Sequence, residues 1–155
     1  MMNKLSHLID YPVSSRTKKP RKNGLTMIID KGLSTEELAS LLAASSNYID
    51  MIKLGFGTSL LYPEEVLKDK IRLIRKAGIS VFPGGTLFEI VYLQNKIGEY
   101  YQLLLDYGFS GVEISDGTIE LQASSRVLEI KKAKAMGLEV ITEIGKKDPR
   151  DAVNL

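Results

Sequence analysis

Three charged side chains lie inside short apolar stretches of this 155-residue sequence. Glu113 stands between valine and isoleucine, Glu143 between threonine and isoleucine, and Lys53 between isoleucine and leucine. Burying a charge without a partner is costly, so a group of opposite charge or a bound ion is expected beside each of them. Together they predict a buried polar site, and the three form a stronger signal than any one alone.

Further charges and glycines follow these stretches, at the points where each would end as a strand. They are Asp30, Lys31 and Gly32; Gly55, Gly57, Thr58 and Ser59; Gly84 and Gly85, with Glu89 one turn into the next helix; Ser115, Asp116 and Gly117; and Gly145, Lys146 and Lys147. Reactive groups in parallel α/β folds gather at the carboxyl ends of the strands. Such an edge suits an anionic substrate held with Mg²⁺, because carboxylates supply oxygen ligands while lysines and glycine N–H groups bind phosphate.

Each of these features also has an ordinary structural explanation. Glycines at strand ends commonly make turns, and Asp116-Gly117 is a frequent turn pair. An Asp30–Lys31 ion pair is one alternative, and a solvated pair of lysines at positions 146 and 147 is another. The ordinary explanation is weakest for the two glutamates that lie within apolar stretches.

Composition excludes several classes of protein. Without cysteine, neither a disulfide framework nor a thiolate zinc site is possible, and the single histidine, His7, lies in a polar N-terminal segment unsuited to a catalytic triad. The net charge of +2 is too small to argue for nucleic acid. The sequence has no run long and apolar enough for a spanning helix and no signal-peptide core, so we expect a cytoplasmic protein with no membrane partner.

Apolar runs alternate with helix-like segments from Leu25 onward. Strands are predicted at Leu25–Lys31, Tyr48–Leu54, Ile79–Phe82, Gly111–Ser115 and Leu138–Glu143. Helices are predicted from a capping box at Ser34 to about Ala44, from Pro63 to Gly78, and over Thr86–Gln94, Gly98–Tyr107 and Ser125–Met136. The first strand is nearly continuously apolar, which predicts burial on both of its faces.

Five strands joined by four helical connections indicate an α/β fold with a parallel sheet and right-handed crossovers. Two architectures fit this pattern, an open doubly wound sheet or part of an eight-stranded (β/α) barrel. A complete barrel needs about 250 residues, so this chain would hold about five of its strands. Residues 1–23 are predicted to form a polar basic arm, and residues 24–155 the folded domain.

Five segments resemble, in the same order and at compatible spacing, the signatures of the phosphosulfolactate synthase family. They are GLTMIIDKG at 24–32, YIDMIKLGFGTS at 48–59, FPGGTLFE at 82–89, GFSGVEISDG at 108–117 and TEIGKK at 142–147. The resemblance implies a TIM-type barrel, of which this chain is the N-terminal portion with the C-terminal part missing. It also implies a carbon–sulfur lyase that adds sulfite to phosphoenolpyruvate with Mg²⁺. The product, (2R)-phosphosulfolactate, leads to coenzyme M in methanogens and to sulfolactate in some spore-forming bacteria.

The resemblance points to the lysine pair after the fifth strand as catalytic, with Lys147 preferred over Lys146 as the proton donor. Within this hypothesis the metal-ligand candidates are Glu113 and Glu143, followed by Asp30 and Asp116. The candidates for binding substrate are Lys31, Lys53, Gly84, Gly85, Ser115 and Arg126. We expect the two small molecules as partners and a homo-oligomeric assembly.

Three alternatives stay open. The chain could be a non-catalytic family member that acts in stress tolerance, or an aldolase-like barrel that acts on another phosphorylated acid. The basic run Arg16–Lys22 could bind nucleic acid, but no interleaved aromatic residue or known motif supports that function.

Overall fold

The computed structural model describes Leu8, Asp10 and residues 17–55 and 57–148. His7, Arg16 and most of the predicted N-terminal arm lie outside the described residues. Within the described part, no helix is long and apolar enough to span a bilayer.

Strands and helices alternate along the described chain. The strands are β1 (Met27–Asp30), β2 (Met51–Leu54), β3 (Ser80–Pro83), β4 (Gly111–Ser115) and β5 (Glu139–Glu143). The helices are α1 (Thr35–Ser45), α2 (Glu64–Lys76), α3 (Gly85–Leu93), α4 (Ile97–Tyr107) and α5 (Ala123–Ala135). The predicted order of elements is confirmed, and β4 has the predicted bounds. Strand β2 begins three residues later than predicted because Ser46–Tyr48 forms a 3₁₀ turn.

Local sequence explains where the first two helices begin. Ser34 Oγ accepts a hydrogen bond from the backbone N–H of Glu37, and the Glu37 carboxylate accepts from the N–H of Ser34, which confirms the capping box of α1. Helix α2 follows Pro63, with two glutamates in its first turn and two basic residues in its last. These charges stabilise the ends of the helix dipole.

The described end of the arm is anchored on the domain. Arg21 Nη1 lies 2.7 Å from Oδ1 of Asp50, and Oδ2 of the same carboxylate accepts a hydrogen bond from the N–H of Thr26. Arg21 therefore joins the arm to the chain segments that precede β1 and β2. Arg21, one of the basic residues considered for nucleic-acid binding, thus forms an ion pair within the protein.

All strand pairs are parallel, and the strands follow one another in sequence order. One sheet has the order β1-β2-β3, and a second sheet pairs β4 with β5. The two sheets meet at Ser110, whose N–H donates to the carbonyl of Val81 and whose Oγ accepts from the N–H of Val81. A doubly wound sheet reverses its strand order, and no reversal occurs between β1 and β5. The parallel α/β fold is confirmed.

The helices cover one face of the strands. Ile52, Val81, Val112 and Ile114 point to that face and form the centre of the apolar core. On the opposite face, Met27 and Ile29 are 42% and 43% exposed. The prediction that β1 is buried on both faces was wrong, because no described element packs over its second face.

Candidate active site

Lys53, Glu113 and Glu143 converge at one place although they belong to three strands. Lys53 Nζ lies 2.7 Å from Oε1 of Glu113 and 3.2 Å from Oε2 of Glu143. Glu113 and Glu143 share a face because the register pairs Glu113 with Ile141 and Ser115 with Glu143. The predicted convergence of the three charges is confirmed, with Lys53 as the cation beside both carboxylates, but Glu143 is half-exposed and not buried.

Burial differs across this cluster and determines its electrostatics. The side chains of Lys53, Glu113 and Glu143 are 15%, 3% and 50% exposed. Burial alone would lower the pKa of Lys53, but the hydrogen bonds and negative charges of the two glutamates outweigh it and hold that pKa above its usual value. Lys53 is therefore a charged ammonium, and Glu143 is the member that faces solvent.

Glu113 also joins the cluster to the beginning of α3. Its Oε2 accepts a hydrogen bond from the backbone N–H of Gly85, at the helix end where the dipole favours a negative charge. A Cβ at position 85 would lie 2.2 Å from Oγ of Ser115 and 3.1 Å from Oε2 of Glu113, so a side chain cannot fit there. The N–H of Gly84 donates to the carbonyl of Leu54 at 2.8 Å. In this structure both glycine N–H groups are donated to protein acceptors, and their predicted role in binding substrate stays a prediction.

Glu89 is a buried charge at this edge that the candidate list omitted. Its carboxylate accepts hydrogen bonds from Oγ of Ser115, from the N–H of Gly117 at 3.0 Å, and from the N–H and Oγ1 of Thr118. Burial would raise the pKa of Glu89, but these hydrogen bonds and the positive charge of Lys147 outweigh it and hold that pKa below its usual value. The available signal was a glutamate inside the apolar helix segment LFEIVYL.

Lys147 lies across the loop that Glu89 holds. Its N–H donates to the carbonyl of Gly117 at 2.9 Å, and its Nζ donates to Oγ1 of Thr86. A Cβ on Gly117 would come within 2.8 Å of Cε of Lys147, so glycine makes room for the lysine stem. The preferred catalytic lysine is thus at the carboxyl edge. Its contact Thr86 lies one helical turn before Glu89 on α3.

Lys146 has different surroundings. Its Nζ donates to the carbonyl oxygens of Ile119 at 2.6 Å and Asp116 at 3.1 Å, and it lies 3.0 Å from Oε1 of Glu120. These contacts tie the loop after β4 to the segment after β5. The two adjacent lysines therefore have separate partners, and Lys146 stabilises the loop after β4.

Arg126 and Asp116 form an ion pair. Arg126 Nη2 lies 2.7 Å from Oδ2 of Asp116, and Nη1 donates to the carbonyl oxygens of Ile114 and Glu143. The guanidinium, mostly buried, thus joins the carboxyl ends of β4 and β5. The predicted substrate-binding role of Arg126 and the predicted metal-ligand role of Asp116 remain predictions, and in this structure the two groups neutralise each other.

Asp30 lies apart from the other metal-ligand candidates. Its Oδ2 lies 2.7 Å from Nζ of Lys70, and both side chains are fully buried. Its Oδ1 accepts from the N–H groups of Gly32 and Leu33, which shapes the turn after β1. The buried partner of Asp30 is therefore a lysine of α2, and not the adjacent Lys31, which is exposed at the end of β1.

The structure brings together two of the four metal-ligand candidates, Glu113 and Glu143. No group of three or more potential metal-ligating side chains occurs among the described residues. One or two carboxylates suffice for Mg²⁺ when substrate and water supply the other oxygens. The cluster has the donor chemistry for such an ion only together with a bound substrate.

A cavity with a volume of about 290 Å³ lies elsewhere in the described part. Most of its lining is apolar and comes from α2, α3 and α4, among them Leu67, Leu87, Val91 and Leu104. None of the charged cluster residues lines it, and its own charged residues, Lys96 and Glu99, have opposite signs. The edge gathers several lysines and is therefore the better candidate site for an anionic substrate.

Comparison with known proteins identifies relatives of this chain. A family model described as (2R)-phospho-3-sulfolactate synthase (ComA) matches residues 14–155. The phosphosulfolactate synthase of Methanothermobacter thermautotrophicus is 41% identical over 140 residues, covering 90% of this chain and 54% of the relative. Those of Methanocaldococcus jannaschii and Bacillus subtilis are 42% and 36% identical, covering 83% and 90% of this chain and 51% and 54% of the relatives. The chain spans about half the length of the curated relatives it matches.

Among solved structures, a type I 3-dehydroquinate dehydratase from Clostridium difficile has a TM-score of 0.46 and 14% sequence identity. The match covers 80% of this chain and 53% of that one. A likeness of this size supports no statement about function.

Proposed function

The chain belongs to the (2R)-phospho-3-sulfolactate synthase (ComA) family, and from this premise we propose that it forms part of an enzyme that adds sulfite to phosphoenolpyruvate. The product is (2R)-phosphosulfolactate. The observation that carries the proposal is the family match over residues 14–155. The charged edge supports it, because both substrates are small anions and the edge holds lysines and carboxylates within reach of one another.

We propose further that the five strands are part of a closed TIM-type (β/α) barrel. Parallel strands in sequence order, with helices on one face, are the arrangement that such a barrel requires. In a barrel the face that carries Lys53, Glu113 and Glu143 is the interior. The active sites of TIM barrels lie at the carboxyl ends of the strands, where these residues and Lys147 are found.

The reaction places specific demands on the site. The sulfur lone pair of sulfite forms the C–S bond at C3 of phosphoenolpyruvate, and the electrons of the double bond move to C2 and the adjacent carboxylate. A proton delivered to C2 completes the addition. In this proposal the Lys147 ammonium donates that proton, because it lies at the carboxyl edge, where its Nζ contacts the neutral hydroxyl of Thr86.

The charge of the cluster supports a requirement for a divalent cation. One ammonium and two carboxylates sum to 1 − 2 = −1, which opposes the approach of a multiply negative substrate. We propose Glu143 as the protein ligand of Mg²⁺, because its side chain is half-exposed and no described group donates a hydrogen bond to its Oε1. The chemistry that Mg²⁺ supplies when bound is stabilisation of negative charge on the substrate carboxylate. Lys53, itself held by Glu113, donates to Oε2 of Glu143 and so holds that carboxylate in place.

The test is an assay of the purified full-length protein with phosphoenolpyruvate, sulfite and Mg²⁺, followed by ³¹P NMR. The expected result is a new phosphate ester that appears only when sulfite is present and disappears when Mg²⁺ is chelated. Consumption of phosphoenolpyruvate with a carbon nucleophile but not with sulfite would instead identify an aldolase-like barrel. Absence of turnover with every nucleophile would contradict the proposal and favour a non-catalytic role in stress tolerance.

A further inference from the structure

Glu89 is a buried carboxylate for which the reaction proposed above has no direct use. It is fully buried on α3, and within the described part of the chain its carboxylate makes no ion pair at contact distance. A buried carboxylate without an adjacent cation is normally expensive, so its charge is stabilised by hydrogen bonds. These hydrogen bonds also fix the position of the residues that donate them.

Among the residues that the structure describes, every hydrogen bond to the Glu89 carboxylate comes from one short segment. Ser115 donates from its side chain, Gly117 from its backbone, and Thr118 from both. This segment leads from β4 toward α5, and it would otherwise be a loop with unpaired N–H groups. Glu89 therefore fixes the conformation of residues 115–118 against α3.

Lys147 rests on that same segment and beside that same helix. Its backbone N–H bonds to Gly117, its stem crosses the bare Cα of Gly117, and its Nζ reaches Oγ1 of Thr86. Thr86 and Glu89 are three residues apart and face the same side of α3. The positive charge of Lys147 contributes to the lowered pKa of Glu89, so the two groups attract each other.

Other charges near Lys147 have their own partners. Asp116 pairs with Arg126, and Lys146 pairs with Glu120 and with loop carbonyl groups. Glu89 is the carboxylate of this neighbourhood that has no cation at contact distance among the described residues. Lys147 is connected to it through Gly117, which binds both residues, and through Thr86 on the same helix.

We propose that Glu89 is a positioning residue that holds the Lys147 ammonium at the carboxyl edge, both by ordering residues 115–118 and by its buried negative charge. The catalytic importance of this role rests on the proposed function, in which Lys147 donates a proton to C2. The structural relationship between the two residues does not depend on it.

The experiment compares lysine reactivity in the full-length protein and its Glu89→Gln variant. Trinitrobenzenesulfonate modifies accessible amines, and mass spectrometry of peptides gives the rate at each lysine at one fixed pH. In Glu89→Gln, we expect Lys147 to be modified about threefold to tenfold faster, because residues 115–118 no longer hold its stem and the attracting carboxylate has been removed. Lys68, which pairs with Glu64 on α2, serves as the internal reference and should not change.

A matched variant distinguishes the effect of the Glu89 charge from the effect of ordering residues 115–118. Thr118→Val removes the side-chain hydrogen bond to Glu89 but keeps the backbone hydrogen bond and the charge, so the rate of modification of Lys147 should rise less than in Glu89→Gln. Equal rates in wild type and Glu89→Gln would overturn the proposal. So would an equal rise in both variants, because Glu89 would then act only as an anchor for the loop.

The reciprocal experiment applies if Glu89→Gln does not fold. In a Lys147→Met variant, the Glu89 carboxylate should titrate at higher pH than in wild type, as followed by ¹³C NMR of labelled glutamate, and an unchanged midpoint would refute the coupling. Neither measurement requires turnover. If the full-length protein fails to form phosphosulfolactate while these shifts are observed, the proposed function fails and the relationship between Glu89 and Lys147 stands.

Discussion

Lys53 and Glu113 are 60 residues apart in the chain, yet Nζ of the lysine lies 2.7 Å from Oε1 of the glutamate. Strands β2 and β4 belong to different sheets, so this ion pair spans the seam between them. The backbone N–H of Gly85 binds the other oxygen of the same carboxylate. Glu113, which lies on β4, thus connects β2 through Lys53 and the start of α3 through Gly85.

Replacing Lys53 by methionine should destabilise the fold. Glu113 would keep its buried position without a cation, and breaking a buried pair from one side costs about 3–5 kcal/mol. Urea unfolding measures the change. The control is Lys68→Met, which removes a solvent-exposed pair with Glu64 and should change the stability far less. Similar losses in the two variants would show that the pair across the seam contributes little.

Replacing Gly85 by alanine should also destabilise the fold, for a steric reason. The new Cβ would lie 2.2 Å from Oγ of Ser115, so β4 and α3 must move apart, and such overpacking costs about 1–3 kcal/mol. Gly98→Ala is the matched control, because nothing lies within 4 Å of a Cβ at that position in α4. There the greater helix propensity of alanine should stabilise by about 0.5–1 kcal/mol. Thermal unfolding of both variants should therefore show shifts of opposite sign.

Glu89 should contribute to stability in a pH-dependent way. Its pKa in the folded protein is below the ordinary value of 4.5, so the ionised form is favoured by folding. That contribution is fully present above about pH 4.5 and is lost as the pH falls through the lower folded pKa. The difference in unfolding free energy between wild type and Glu89→Gln should therefore shrink on acidification below about pH 4.5. A difference that is constant from pH 7 to pH 3 would argue against an ionised Glu89 in the folded state.

Glu143→Gln should reduce Mg²⁺-dependent turnover of the full-length enzyme on the order of 100-fold, the size typical of losing one group that stabilises developing charge. Its stability should change little, because the side chain is half-exposed.

Asp30→Asn should give the opposite pattern. It leaves the buried Lys70 ammonium without its carboxylate, so stability should fall while the Mg²⁺ concentration for half-maximal turnover stays the same. A changed Mg²⁺ requirement in Asp30→Asn would restore Asp30 as a metal ligand.

Local features could be predicted because neighbouring residues produce them. The capping box at Ser34 requires only residues three positions apart, and β4 was recognisable as a short apolar run between glycine and serine. The convergence of Lys53, Glu113 and Glu143 was also foreseeable, because unpaired charges inside strands require partners. Each of these predictions depends on the free energy of leaving a particular polar or charged group without a partner, which can be judged from the neighbouring residues alone.

The choice of partner could not be predicted in the same way. Asp30 was expected beside Lys31 or a metal, but it pairs with Lys70, which lies 40 positions along the chain in α2. The partner of Arg126, Asp116, was also not predicted, and the role of Arg126 in binding substrate stays a prediction. Several charges of opposite sign are within reach of each group in principle, and only the packing of helices on strands selects one.

The amino-acid sequence alone determined the order of strands and helices, the edge at which charge gathers, and the family to which the chain is related. These properties follow from hydrophobic periodicity, turn residues and the cost of burying charge, all of which act over a few neighbouring positions. Tertiary structure decided that Lys146 binds the loop after β4 while Lys147 contacts Thr86, that one face of β1 is exposed, and that Glu89 binds the segment on which Lys147 rests. Those outcomes depend on distances between residues far apart in the chain, and such distances exist only once the elements have packed.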